Sequence, residues 1–555
     1  MNVEHVDMPS GYPVTDAYVK RSDGRLAGLF GSHPEAAGDW RARADWLRRS
    51  ESLRAERRQV AEALAAFNRK AGASAATKAN VEALGTGAFA VVGGQQAGLL
   101  TGPVMVIHKA VSVVNAAKWA EKEVGCKVVP VFWIAGEDHD WDEANHACLV
   151  TAGSVLKKLA VGREGRPKTS VSRTKLDPGT WSAVLDELAD SLPDTEFKPE
   201  LLESLKLAAS ASDTLTELFA RIMASLFAKE GLVLMDADDP ALRRLEAPMF
   251  IRMLEKGEEL ERAYASGSSG LSELGYALQV EPQPGCANLF VYRDPAIDPN
   301  AGRLEGERVL LYRKDGGMFT DRKETFAVSQ PALLALAAET PELFSNNVLT
   351  RPLMQDYVLP VLATVVGPAE IAYWAQLGEA FRSLGMAMPI VLPRTSYTVT
   401  DDGIRKYMDV YGLSFDDVRN RFDERKQAWL DERDTLSLDE LFEETERRIA
   451  DLYEPLLQAL PAIEAGLADI GEKNRRKIVE QVRFLRAKAK DAHRLRFEAE
   501  LRRFDRVAVW LRPDGKPQER VINYASMWNR YGSHWLDSLL AVPCSRSGGH
   551  YIIHL

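Results

Sequence analysis

The chain has little cysteine: four residues in 555, Cys126, Cys148, Cys286 and Cys544, widely spaced and with no CxxC. That scarcity disfavours a disulfide framework and a structural zinc site. No apolar run reaches the roughly 18 residues that a membrane span needs, so no membrane partner is expected. The opening MNVEHVDMPSGYP has no basic-then-apolar signal, and a cytoplasmic protein is the reading. Basic charge does not dominate either; a net charge of −10 argues against a general nucleic-acid binder. Also missing are the dinucleotide fingerprint GxGxxG, the phosphate loop GxxxxGK[ST], low-complexity tracts and any solenoid repeat. What remains is a globular composition, 46% hydrophobic and 27% charged, in 555 residues. One core grows over roughly 250–300 residues, so two or three structural units are expected.

Residues 86–146 carry the densest signal. The apolar AFAVV breaks into GGQQAGLLTGP, a helix follows, and a second apolar run, VVPVFWIA at 128–135, ends in Glu137-Asp138-His139-Asp140. Without polar alternation that run reads as a parallel strand covered on both faces, so the segment is a βαβ unit of an α/β fold. Gly93, Gly94 and Gly98 permit tight turns and close backbone approach, and Pro103 suits the first helical position, where an anion can rest. Thr101, His108, Ser112 and Asn115 recur at helical spacing opposite the apolar Val104, Ile107, Val111 and Val114. His108 is therefore expected to face whatever occupies the loop. Ligands of open α/β sheets bind beyond the carboxyl ends of the strands, where both polar clusters fall. The competing reading is that the glycines only turn the chain and the acids only solvate a loop.

A second strand-turn-helix unit lies at VLPVLATVVG (358–367), with Pro368 leading into AEIAYWAQLGEAF. Glu370, Tyr373 and Gln376, three apart, share one helical face, and Glu370 sits in the first turn where a carboxylate suits the dipole. A capping glutamate with a partly buried tyrosine is the alternative. MPIVLPRTSYT adds a strand with Arg394, Ser396 and Tyr397 at its carboxyl end, and GLVLMDADDP (231–240) adds another that ends in acids. Segments of about 151–230 and 260–345 read as insertions into a core that spans 1–400. RVLLYRKDGGMFT within the second reads as a hairpin with a Gly-Gly turn.

Residues 401–510 change character. Ile449, Leu452, Leu456, Leu460, Ile463, Leu467 and Ile470 step by four and three, as do Ile478, Val482, Leu485, Ala489, Ala492 and, past a polar Arg496, Ala499. That is a coiled-coil seam, and Gly471-Glu472-Lys473-Asn474 between the runs predicts the turn of an antiparallel helical hairpin. Two helices are too thin to bury such a seam alone, so a homodimer through the hairpin is expected. A hairpin returns the chain near its start, so 511–555 should pack back on the core. There Asn523, Tyr524, Trp528, Asn529, Arg530 and Tyr531, with Ser396 and Tyr397, offer groups to stack a base and hold phosphates. A plain strap is the alternative.

GGQQAGLLTGP with His108 and Lys109, PVFWIAGEDHDWDEANH, VVGPAEIAYWAQL, MPIVLPR and terminal QERVINYASMWNRYG, in this order around a coiled coil, resemble the bacillithiol-biosynthesis cysteine ligase family over nearly the whole chain. The resemblance implies a Rossmann-like parallel-sheet core with two inserted connecting segments, a coiled-coil dimer, and addition of cysteine to glucosamine-malate. Amide formation needs an activated acyl group, so an acyl phosphate or adenylate made from ATP, with ADP or another product and accompanying Mg²⁺, is the expectation. In that scheme Gly93, Gly94 and Gly98 with Ser396, Tyr397, Trp528, Asn529, Arg530 and Tyr531 hold nucleotide, while His108 and Lys109 stabilise developing negative charge. Asp138, His139 or Asp140 accepts the amine proton or binds the cysteine ammonium. Gln95, Gln96, Thr101, Gly102, Glu370, Tyr373 and Gln376 orient substrate, and Arg394 pairs with the malate carboxylate. Asp138, His139, Asp140 and His146 fit no standard zinc spacing, and no protein metal site is predicted. An amino-acid-activating or nucleotidyl-transferring enzyme with another acceptor, or a coiled-coil scaffold, are the rival readings.

Overall fold

The computed structural model describes residues 2–163, 168–299 and 301–555. The chain divides into two compact units, Met1–Val399 with Gln518–Leu555, and Thr400–Pro517. In the first, the apolar runs form one sheet of five strands: β1 (Phe89–Gln95), β2 (Val128–Ile134), β3 (Val233–Asp236), β4 (Val361–Val366) and β5 (Ile390–Pro393). Their order is β5-β4-β1-β2-β3, and every adjacent pair is parallel. Every residue of β2 to β5 is buried, which is why these runs lack polar alternation. The chain steps outward from β1 to β3 and then returns to the other flank of β1. This reversal opens a crevice beyond the carboxyl ends of β1 and β4.

Two helices border that crevice, α1 (Met105–Val124) and α4 (Pro368–Trp374), while α2 (Leu215–Leu226) and α3 (Pro240–Glu255) lie before and after β3 in the chain. Helix α1 starts two residues later than expected, so Pro103 precedes its N-cap, Val104. It is buried on both faces. Ser112 Oγ accepts from the Thr395 amide at 3.1 Å, and Asn115 donates to the Val542 carbonyl at 2.8 Å. Its polar face therefore lies under strand-end and C-terminal residues and does not look into the loop. The glycines are also reassigned. A Cβ on Gly93 would stand 2.6 Å from Val113 Cγ2, and one on Gly94 would stand 2.5 Å from the Trp133 carbonyl oxygen. Both are paired in register inside the sheet, where they permit close packing.

The insertions add structure of another kind. The first carries a hairpin, His146–Val150 with Leu156–Ala160, and helices Pro178–Ser191 and Lys198–Ser210. The second folds into a five-stranded antiparallel sheet, including the Gly-Gly hairpin Arg308–Lys314 with Met318–Thr320.

In the second unit, α5 (Leu438–Ala459) and α6 (Leu467–Arg496) run antiparallel. Lys490 and Arg486 each reach Asp439 at 2.5 Å, Arg483 reaches Glu446 at 2.9 Å, and Tyr453 Oη meets Asn474 at 2.5 Å. The turn falls at 460–466 and not at 471–474. Pro461, with no amide hydrogen, ends the helical ladder there, whereas Gly471 lies inside α6 and lets Leu457 and Leu460 approach. The seam stops at Phe497, where α7 (Glu498–Leu511) begins, so Ala499 does not extend it. Tyr411, Trp429 and Phe504 pack as an aromatic cluster at the α7 end, with ring centroids 4.2 and 5.4 Å apart.

Residues 518–555 rejoin the first unit and lead into α8 (Tyr524–Tyr531). Buried Asn523 clasps the glycine loop, donating to the Leu100 and Gly102 carbonyls at 2.7 and 2.6 Å. No helix among the described residues is long and apolar enough to cross a membrane. Replacing Asn523 with alanine orphans both carbonyls. At about 1–3 kcal/mol for each buried group left unpaired, urea denaturation should show the first unit weakened by about 2–6 kcal/mol; an unchanged midpoint would contradict the clasp.

Candidate functional site

A cavity of about 650 Å³ occupies the crevice. Gly94, Gln95 and Gln96 come from the end of β1, Lys109 from α1, and Glu137, Asp138, His139 and Glu143 from the segment after β2. Gly367, Glu370 and Tyr373 come from the turn into α4, and Arg394 follows β5. The second insertion contributes Phe290, Arg308, Asn346, Asn347 and Arg351, and the C-terminal segment contributes Arg520. Sequence reasoning missed these last six and Glu143. The polar FSNN at 344–347 was the only local hint.

Lys109 is the hub of one wall. Its ammonium donates to the Gly94 carbonyl at 2.8 Å, to Gln95 Oε1 at 3.0 Å and to Glu370 at 2.6 Å. Gln95 passes a 2.6 Å bond to Gln96, and Gln96 Nε2 lies 3.4 Å from Glu143. Glu370 also accepts from the Gly367 amide at 2.7 Å, so it both caps α4 and faces the cavity. Burial would raise its carboxyl, but Lys109 and Arg351 outweigh that and hold it below the usual range. Arg351 also reaches Tyr373 Oη at 3.1 Å.

The residues after β2 divide by role. Glu137 is buried against Arg243 of α3, whose guanidinium also pairs with Glu246 at 2.5 Å, so it anchors the loop. Asp140 caps the short helix that starts at Trp141, bonding the Glu143 amide at 3.1 Å, and does not line the cavity. Asp138 does line it. His139 Nδ1 lies 3.0 Å from Arg308 Nη1. Because a guanidinium only donates, Nδ1 accepts and the neutral ring carries its proton on Nε2. Burial and then Arg308 lower the His139 pKa, which keeps the ring neutral. Burial beside Asp138 and Asp140 pushes the Glu143 carboxyl up.

Arg394 lines the cavity from below, but its guanidinium is engaged. It grips Glu519 in a fork, at 2.8 and 2.7 Å. The same carboxylate meets His108 Nδ1 at 2.8 Å and the Tyr397 amide at 3.4 Å. Burial works against the Glu519 charge, yet Arg394 and His108 hold its pKa well below the carboxylate range. Burial lowers the pKa of His108, so the neutral ring donates from Nδ1. His108 is thus fully enclosed beneath the cavity, edge-on to Tyr397, and does not face the loop.

Other expected site residues lie elsewhere. Thr101 is buried, the Gly102 carbonyl is held by Asn523, and Gly98 packs on Gly102, where a Cβ would stand 2.9 Å from its Cα. Helix α4 ends at Trp374, so Gln376 leaves the Glu370 and Tyr373 face and bonds Ser268 and Val280 at 2.7 and 2.9 Å. Ser396 donates its amide to Gly549, and Tyr397 is buried. Asn529 is spent on Pro193 and Thr195. Trp528 is half-buried, and Arg530 leans over Tyr531 at 5.6 Å. None of these residues lines this cavity.

A parallel sheet with its polar cavity at the strand-order reversal, joined to a helical hairpin, defines a Rossmann-type small-molecule enzyme with a coiled-coil appendage. The profile described as "Bacillithiol biosynthesis BshC, N-terminal Rossmann-like domain" matches residues 1–395, and the one for the C-terminal coiled-coil domain of the same family matches 397–555. Curated relatives bear the name "Putative cysteine ligase BshC". That of Bacillus cytotoxicus is 34% identical over all of both chains. That of Bacillus anthracis is 36% identical over 88% of this chain and 89% of its own. A Bacillus cereus relative is 36% identical over 90% and 91%. The chain belongs to the BshC family of bacillithiol biosynthesis.

Substituting Glu519 with glutamine leaves Arg394 buried without its counter-ion and should cost roughly 3–5 kcal/mol in denaturant titrations. Because the folded pKa of Glu519 is depressed, its contribution is present above the ordinary carboxylate range and is lost as pH falls through that range and below. The wild type should therefore lose stability more steeply on acidification than Glu519→Gln; parallel curves would contradict the assignment.

Proposed function

We propose that the chain is a cytoplasmic cysteine ligase of bacillithiol biosynthesis, which joins the cysteine carboxylate to the amine of glucosamine-malate. The observation that carries this is the cavity at the strand-order reversal, lined by carboxylates and guanidinium groups together, in a chain that matches relatives named cysteine ligase along its whole length. The attacking amine must shed a proton, and Asp138 beside Glu143 is the acceptor. His139, with its proton on Nε2 and Arg308 behind it, donates to the carbonyl oxygen as charge develops there. Lys109, Glu370 and Arg351 hold the polar ends of the substrates. Arg520 is exposed on the cavity wall, and among the described residues it has no carboxylate partner; it is the cation left for an incoming anion.

When bound, ATP with Mg²⁺ would supply the phosphoryl or adenylyl group that activates the cysteine carboxylate and leaves as the amide forms. The glycine loop does not fit its phosphates, because Gly93 and Gly94 are packed between strands and Gly98 against Gly102. Purified protein incubated with cysteine and glucosamine-malate should yield the amide by mass spectrometry only when ATP is present. Asp138→Asn should lower kcat/KM by about 10²–10⁴-fold, the range for a lost general base, with the thermal midpoint unmoved. A different acceptor product, or no turnover with any nucleoside triphosphate, would overturn the assignment in favour of another activating enzyme or a scaffold.

We further propose a homodimer formed through the α5–α6 hairpin. Leu452, Ile470 and Leu485 are 71%, 61% and 60% exposed there, a stripe that a second hairpin would cover. Light scattering should report a dimer for the wild type and a monomer for Leu452→Asp with Leu485→Asp; a wild-type monomer would refute it.

A further inference from the structure

A second cavity, of about 440 Å³, opens beyond the carboxyl end of the edge strand β3 and shares no lining residue with the first. Most of its charged groups are already engaged. Asp238 receives two bonds of 2.8 Å from Arg173 and one of 2.6 Å from Ser172. Asp239 caps α3, Glu217 accepts the Asp213 amide at 2.7 Å, and Glu342 pairs with Arg244 at 3.0 Å.

Four groups are left. Asp236 is 6% exposed and accepts a 3.2 Å bond from the Asp238 amide; it fits beside Gly136, where a Cβ would collide with its carboxyl. Thr216 is 2% exposed, and its hydroxyl has no partner among the described residues. At the mouth, half-buried Arg221 and exposed Lys70 have no carboxylate in salt-bridge range among the described residues. A buried acid and a hydroxyl deep in a cavity, with two uncompensated cations at its lip, complement a ligand with a positive head and a negative tail.

We propose that this cavity is a binding site for a free α-amino acid, with its ammonium on the Asp236 carboxylate and the Thr216 hydroxyl and its carboxylate toward Arg221 and Lys70. The volume admits a side chain as well as the zwitterionic core. Burial and the neighbouring Asp238 raise the Asp236 pKa well above the carboxylate range. An arriving ammonium favours its ionised form and so drives proton release.

Isothermal titration of the full-length protein tests this with the nineteen common amino acids other than cysteine, which the first cavity would also take, and with ethylammonium and propionate as half-ligands. At least one amino acid should bind at least tenfold more tightly than either half-ligand, with an enthalpy that changes between buffers of different ionisation heat. Asp236→Asn and Arg221→Gln should each weaken it at least tenfold, while Glu370→Gln in the first cavity should leave it unchanged. Arg221 is half-buried on the rim, so its variant carries the test if Asp236→Asn fails to fold. No binding by any amino acid, a half-ligand that binds as tightly, or binding that is indifferent to Arg221→Gln and lost with Glu370→Gln would each overturn the proposal.

Discussion

The carboxylate of Glu519 organises the first unit. It arrives from the last forty residues of the chain, enters the interior below β5, and is met by the Arg394 fork, the His108 ring and the Tyr397 amide. A carboxylate taken out of water is tolerated only when its charge and lone pairs are answered, and here each is. Three consequences follow from that ion pair. Arg394 is presented to the cavity with its charge balanced, His108 is fixed as the Nδ1–H tautomer, and the C-terminal segment is held where Asn523 can close over the glycine loop.

The glycine loop changes meaning in that setting. A Rossmann-type fold commonly uses its first glycines to let a pyrophosphate approach the backbone. In this chain they let β1 approach β2 and α1, and the polar work passes to side chains. Lys109, Gln95, Gln96 and Glu143 form a chain of polar contacts along the cavity, from an ammonium to a raised carboxyl.

Much of this was legible from residue order. Uniformly apolar runs marked the parallel strands, and the rule that ligands sit at their carboxyl ends located Asp138, His139, Glu370 and Lys109 at the cavity. Helical spacing assigned a common face to Glu370, Tyr373 and Gln376, but α4 ended after two turns and Gln376 left that face. His108 pointed the wrong way for a related reason. A polar stripe on a helix marks a side that is not aliphatic, and here His108, Ser112 and Asn115 are satisfied by Glu519, Thr395 and Val542. In the hairpin, the seam was readable from its four-three steps, whereas its turn was misplaced because a glycine suggested a break that Pro461 makes.

The sequence by itself determined the parallel α/β core, the coiled-coil hairpin and the acids and amides at the strand ends, since each is written in periodicity or in residues adjacent along the chain. Only the tertiary structure decided which of those groups face the cavity. Arg308, Asn346 and Arg351 come from the antiparallel insertion and its flank, and Glu519 and Arg520 from the far end of the chain. Pairings across more than a hundred residues leave no local pattern, because they are chosen by how buried charges find partners once the layers have packed.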